Sequence, residues 1–111
     1  MEVYFRTKKL ARVFCSEMLL IREYGPENAR LIMRRMSVLV AVPTLQEVPD
    51  TKPDRRHQLK GKRSGQFAVD VKHPSRIVFE PAHNPVPLLE HGGYDLSRIT
   101  AIEILAVEDY H

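Results

Sequence analysis

The sequence predicts an α+β protein, two N-terminal antiparallel helices packed on one face of a small, mostly antiparallel sheet. Three observations point there. Apolar residues recur at three- and four-residue spacing up to about residue 41, then at alternating spacing from residue 66. Gly25-Pro26 leaves almost no turn between the two helical stretches, so they must run back along each other. Prolines and glycines break up the remaining stretches, most densely between 81 and 98. At 111 residues the chain reads as one domain spanning 1–111, long enough to bury a single core.

Val3–Phe5 reads as a short strand. Thr7 can accept a hydrogen bond from the first helical turn, and a helix is expected over Lys8–Tyr24. Its apolar stripe is Leu10, Phe14, Met18 and Ile21, with Lys9, Arg12 and Glu17 off that stripe. Gly25 ends this helix and Pro26 opens the next, which runs to Ala41. Ala29, Ile32, Met33, Met36, Leu39 and Val40 line its apolar face, while Arg30, Arg34 and Arg35 point elsewhere. Pro43, Pro49 and Pro53 mark a connector with at most one helical turn, near Thr44–Val48.

Beyond it Gln66–Val71 alternates as a strand, His73-Pro74-Ser75 carries turn chemistry, and Arg76–Glu80 forms the next strand. Pro81, Pro85, Pro87, Gly92 and Gly93 make 81–98 a long loop, after which Ala101–Val107 reads as the last strand. The predicted order is β-α-α-β-β-β, to which His57–Lys60 adds a further, shorter candidate strand.

Composition narrows the class. Hydrophobic content of 43% and charged content of 28% fit an ordinary soluble protein. No apolar run approaches the roughly 20 residues that cross a bilayer. No cationic start followed by an apolar core marks a signal peptide. The single Cys15 cannot form an internal disulfide, so a cytoplasmic home and no membrane partner are expected, with Cys15 packed as a small apolar residue. The net charge of +3 hides an asymmetry: Lys52–Arg76 holds eight Lys/Arg against two acids, and the remainder nine against twelve. A cationic patch on an otherwise acidic chain favours a polyanion, nucleic acid first, over a merely solvated basic loop.

Two clusters carry chemistry. Arg55-Arg56-His57-Gln58-Leu59-Lys60-Gly61-Lys62-Arg63 gathers five fixed cations and an imidazole without an acid. Glu108-Asp109-Tyr110-His111 sets two carboxylates, a phenol and a second imidazole directly after the last strand. Cations for a phosphate and titratable groups for its protons are what RNA cleavage needs.

These segments, with Gly65-Gln66-Phe67-Ala68-Val69-Asp70 and Arg76-Ile77-Val78-Phe79-Glu80-Pro81 between them, resemble the HigB branch of the RelE/ParE toxin superfamily. The resemblance covers essentially the whole chain, and a His-x-Leu-Lys-Gly strand, a strand-borne Arg and a terminal Asp-Tyr-His in this order make it specific. It implies a RelE-like fold and the toxin of a type II toxin–antitoxin pair that cuts mRNA on the ribosome. It also implies a cognate HigA-type antitoxin with a helix-turn-helix DNA-binding domain, operator DNA being met only through that antitoxin. Carried over residue by residue, it assigns the catalytic roles to His57, Lys60, Arg76, Asp109, Tyr110 and His111. Arg55, Arg56, Lys62 and Arg63 are expected to contact RNA phosphates. The loop over 82–98 departs from the compact members by its length.

Such a site can work without a metal or other cofactor. The ribose 2′-oxygen attacks the adjacent phosphate, leaving a cyclic phosphate and a 5′-hydroxyl. Lys60 and Arg76 suit the developing phosphorane charge, Arg gripping two oxygens at once and Lys acting as a point charge. His57 and His111 are the acid/base pair, with the assignment between them open. Tyr110 can stack on a base or assist proton transfer, and Asp109 can orient an imidazole. A metal site from His57, Asp109 and His111 lacks any short-range ligand pair. Two rival classes stand beside the nuclease: a ParE-like toxin that inhibits another target by binding, and a basic interaction module that docks an acidic partner.

Overall fold

The computed structural model describes residues 1–109; Tyr110 and His111, two of the expected catalytic residues, lie outside the described residues. Strand β1 (Glu2–Phe5) leads into helices α1 (Lys8–Phe14), α2 (Glu17–Tyr24) and α3 (Pro26–Ala41). Strands β2 (His57–Gln58), β3 (Phe67–Asp70), β4 (Ser75–Pro81) and β5 (Ala101–Asp109) follow. They form one sheet in the order β1-β5-β4-β3-β2, antiparallel throughout except that β1 runs parallel to β5. The mixed α+β class is as expected, and the short candidate over His57–Lys60 is present as the two-residue β2, which gives one strand more than the order β-α-α-β-β-β.

The helical half also differs. The stretch over Lys8–Tyr24 is two helices, because Ser16 takes extended backbone and its hydroxyl accepts from the Leu19 N–H at 3.2 Å, starting a new helix. Thr7 caps α1 as expected, accepting from the Leu10 N–H at 3.0 Å. The break rotates the buried face: Val13 and Leu20 enter the core, whereas Met18, expected inside, is 68% exposed. Helix α3 has its expected bounds and begins after Gly25, whose φ of 86° is open to glycine alone at little cost. Glu17, Ile21, Ala29 and Met33 share one groove and Phe14, Leu20, Met36 and Val40 the next, so α1-α2 and α3 run back along each other. Contrary to expectation, Arg35 turns inward: it is buried and its Nε donates to the Asp70 carbonyl at 2.6 Å. No basic side chain occupies the last turn of α3; the Met1 ammonium instead donates to the carbonyls of Leu39 and Val40.

The core lies between the helices and one face of the sheet. Ile32 and Leu39 from α3 meet Phe67, Val69, Ile77, Phe79, Ile102 and Ile104, all of them buried. The other sheet face carries a separate small cluster of Leu59, Ala68, Val78 and Leu105, all buried. The expected turn in the connector is a 3-10 turn at Leu45–Glu47. The loop between β4 and β5 is ordered on itself: Leu88 bridges to Tyr94, Gly92 N–H donates to the Leu89 carbonyl at 2.9 Å, and the Tyr94 ring lies 6.1 Å from that of Phe67.

Candidate active site

Strand alternation decides which predicted residues share this second sheet face. His57 aligns with Ala68, Ala68 with Val78 and Val78 with Ala106, so His57 heads a row of small apolar residues across that face. One step along the strands, Asp70, Arg76 and Glu108 form a second row. His57 and Arg76 are thus two strands and two residues apart, a Cα separation of roughly 12 Å from standard sheet spacings. Ala68 and Val78 between them are buried, together with Leu59 and Leu105, so the floor between the two side chains is a packed apolar one.

A β-bulge sets the end of β5. Val78 aligns with Ala106 but Phe79 with Ile104, so Leu105 is the extra residue. Ile102 and Ile104 face the helices, as does Val107, which packs on the same core. Without the bulge Glu108 would follow Ile102 and Ile104 toward the helices. With it, Glu108 stands on the second face opposite Arg76.

Arg76 is more protected than Arg55 or Arg63, its side chain 14% exposed, and its Nη2 donates to Glu108 Oε1 at 3.0 Å. Arg63 reaches the same oxygen from the 3-10 turn Gly61–Arg63, Nη1 to Oε1 at 2.6 Å, while its Nε donates to Gln66 Oε1 at 2.8 Å. The Arg63 hydrogen bond above all holds the Glu108 carboxyl below the usual glutamate range; partial burial opposes this, and Arg76 adds to it. Arg63, Arg76, Glu108 and Asp109 line an open cleft of about 480 Å³. Asp109 ends β5 opposite Ser75, whose Oγ donates to Asp109 Oδ1 at 2.8 Å.

His57 is half-buried, and its Nδ1 donates to the Arg55 carbonyl at 2.8 Å. A carbonyl can only accept, so this contact selects the tautomer in which Nε2 is the basic nitrogen. Arg55 itself pairs with Asp70, and the Arg56 Nε donates to the Val48 carbonyl at 2.9 Å. Those two cations therefore hold the connector onto the sheet. Lys60 and Lys62 are exposed and make no ion pair with any described residue.

Of the expected site residues, Arg63, Arg76 and Asp109 meet in one cleft, His57 shares the Arg76 face, and Lys60 lies exposed just beyond β2. Sequence reasoning missed two residues. Asp70 anchors the His57 segment, and Glu108 occupies the arginine pair; its place in the terminal acidic run was visible, but the bulge that aims it was not. Among the described residues no three His, Cys, Asp or Glu side chains gather closely enough to hold a metal ion. No helix among them is long and apolar enough to cross a membrane.

No family model and no curated protein matches the sequence. Solved structures do match. A chain of the YoeB-YefM complex from Staphylococcus aureus superposes with a TM-score of 0.54 at 11% identity, covering 100% of this chain and 97% of that one. A YoeB/ParE toxin from Agrobacterium tumefaciens gives 0.54 at 13% identity, covering 100% of both chains. The YoeB dimer from S. aureus gives 0.54 at 11% identity over 100% and 97%. Identity this low shows a shared fold.

Proposed function

We propose that this protein is the toxin of a type II toxin–antitoxin pair, of the HigB kind, and cleaves mRNA on the ribosome. The observation that carries this reading is that His57 and Arg76 stand on the same sheet face about two strands apart, with Arg63 and Asp109 lining the cleft beside Arg76. The shared fold with YoeB and YoeB/ParE chains supports the toxin class, and the YoeB-YefM complex supports a protein partner that holds it silent. For this chain that partner is a HigA-type antitoxin, which would carry any contact with operator DNA, and the site of action is the cytoplasm.

The chemistry follows from the side chains. Arg76 holds the non-bridging oxygens of the scissile phosphate and stabilises the charge that grows on them. Lys60 and Lys62, exposed beyond β2, add charge along the RNA backbone. His57, with Nδ1–H fixed on a carbonyl, offers Nε2 for proton transfer at the 2′-oxygen or the leaving 5′-oxygen. Asp109, which lines the cleft with Arg76, adds a carboxylate, and Tyr110 and His111, next in sequence, supply the phenol and the second imidazole of the set.

Mapping the 5′-ends of cellular mRNA after brief induction tests the reading. Breaks at in-frame positions, dependent on translation, are expected. Growth arrest with intact mRNA would instead favour a ParE-like toxin that inhibits by binding, and neither effect would leave only a basic docking module.

A further inference from the structure

Two guanidinium groups converge on one atom. Arg63 Nη1 and Arg76 Nη2 approach Glu108 Oε1 at 2.6 and 3.0 Å, from a 3-10 turn on one side and from β4 on the other. Convergent donors on a single oxygen are what a phosphodiester's non-bridging oxygen requires. Among the described residues the cleft that contains them is lined by two cations and two carboxylates, a balanced set beside the most basic segment of the chain. Asp109 is engaged by Ser75, and among the described residues Glu108 is the anion that both arginines meet.

The Glu108 backbone is held by β5, aligned with Arg76 on β4, but its side chain is 29% exposed. A change of side-chain rotamer alone can carry the carboxylate out to water without disturbing the sheet. Its depressed pKa suits a permanent anion and ill suits a general base, which works best near the ambient pH.

We infer that Glu108 is an internal stand-in for the substrate phosphate, a carboxylate gate that occupies the Arg63–Arg76 cradle until an RNA phosphodiester displaces it. This deepens the nuclease reading and rests on it for the identity of the ligand. The gate keeps the two guanidiniums aligned in the free protein and taxes every phosphate that enters by the cost of expelling the carboxylate. Apparent affinity falls by the fraction of molecules whose cradle is open. Loosely presented RNA is turned away, whereas RNA held in place by other contacts displaces the gate.

The experiment is a titration of the full-length protein with a single-stranded RNA trinucleotide blocked by 2′-O-methyl groups. It is read from the arginine Nε–H NMR signals and run on wild type, Glu108→Gln and Arg76→Ala. Glutamine keeps the shape and one acceptor but removes the charge. Binding to E108Q should be about 3–10-fold tighter than to wild type, the scale of partly exposed ion pairs, and R76A should bind more weakly than either. In cleavage assays E108Q should lower KM and leave kcat near wild type. If E108Q binds equally or more weakly while R76A loses affinity, the gate is overturned and the phosphate cradle stands. If neither protein titrates, or R76A binds like wild type, the cradle and the gate both fall. A general base in place of a gate would show as a lost kcat in E108Q with unchanged binding. Breaks in cellular mRNA report separately on the nuclease reading.

Discussion

Arg55 closes a two-point ion pair with Asp70, Nε to Oδ2 at 2.6 Å and Nη2 to Oδ1 at 3.1 Å. The same arginine has φ of 48°, in the left-handed region, and its carbonyl receives the His57 Nδ1 proton. Asp70 also accepts from Arg35 through its carbonyl and donates its N–H to the Asp54 carbonyl at 2.8 Å. One residue of β3 therefore fixes the backbone that aims the imidazole. Asp70→Asn should lower cleavage at least tenfold while costing only about 1 kcal/mol of stability, since the pair is partly exposed. Single-turnover cleavage and urea unfolding measure the two effects; unchanged cleavage would remove Asp70 from the positioning of His57.

Arg76→Ala should relieve growth arrest and reduce cleavage by about 10²–10³-fold, the usual loss for one charge-stabilising contact. Arg76→Lys should restore little, because one ammonium cannot grip two oxygens. Circular dichroism should show a folded domain for both. A folded, fully toxic alanine variant would end the assignment.

Deleting Tyr110 and His111 should leave the sheet intact, because the β4–β5 pairs from Ser75–Asp109 to Pro81–Ile102 involve neither residue. Cleavage should fall by about 10²–10⁴-fold if the pair transfers protons. Antitoxin and ribosome binding should persist. Near-normal cleavage by the shortened chain would leave only the cationic residues and His57 in the mechanism.

The pH dependence has a definite sign. Glu108 is held below the ordinary glutamate value of 4.5, chiefly by its hydrogen bond from Arg63. A depressed carboxylate stabilises the fold above its unfolded pKa, and that contribution is lost as pH falls through the folded pKa. Wild type should thus lose more urea resistance than Glu108→Gln as pH falls below the ordinary glutamate value of 4.5 toward the acid limit of folding. Glu27, lowered by its hydrogen bond from Lys72, acts with the same sign in both proteins, so the difference between them isolates Glu108. Parallel curves would show that the arginine contacts carry no net stability.

Much of the fold was legible because it is written in local signals. Gly25-Pro26 set the start of α3, the alternation from Phe67 to Val71 marked β3, and the proline-rich 81–98 read as a loop. What failed needed information from outside each segment. A serine hydroxyl can lie on a continuous helix or start a new one; Ser16 does the latter, and the bend there goes with the burial of Val13 and Leu20 on either side of it. The inward turn of Arg35 depends on a carbonyl from another strand, at Asp70. The site divides the same way. Arg76 and Asp109 were visible as chemistry on strands, and the cleft brings them together. Glu108 was hidden by the bulge at Leu105, which changes which of two neighbouring carboxylates meets the arginines.

The parallel pairing of β1 with β5 aligns Glu2 with Ala101. The first strand made therefore waits for the last before it gains its neighbour in the sheet, and contacts of such long range form late. A chain stopped at residue 98 lacks Ile102 and Ile104 from the core and leaves β1 and β4 each without the strand between them. Such a fragment should be unfolded by circular dichroism. On the toxin reading proposed above, this ordering acts as a delay built into manufacture: the weapon stays unassembled while its own message is still being read.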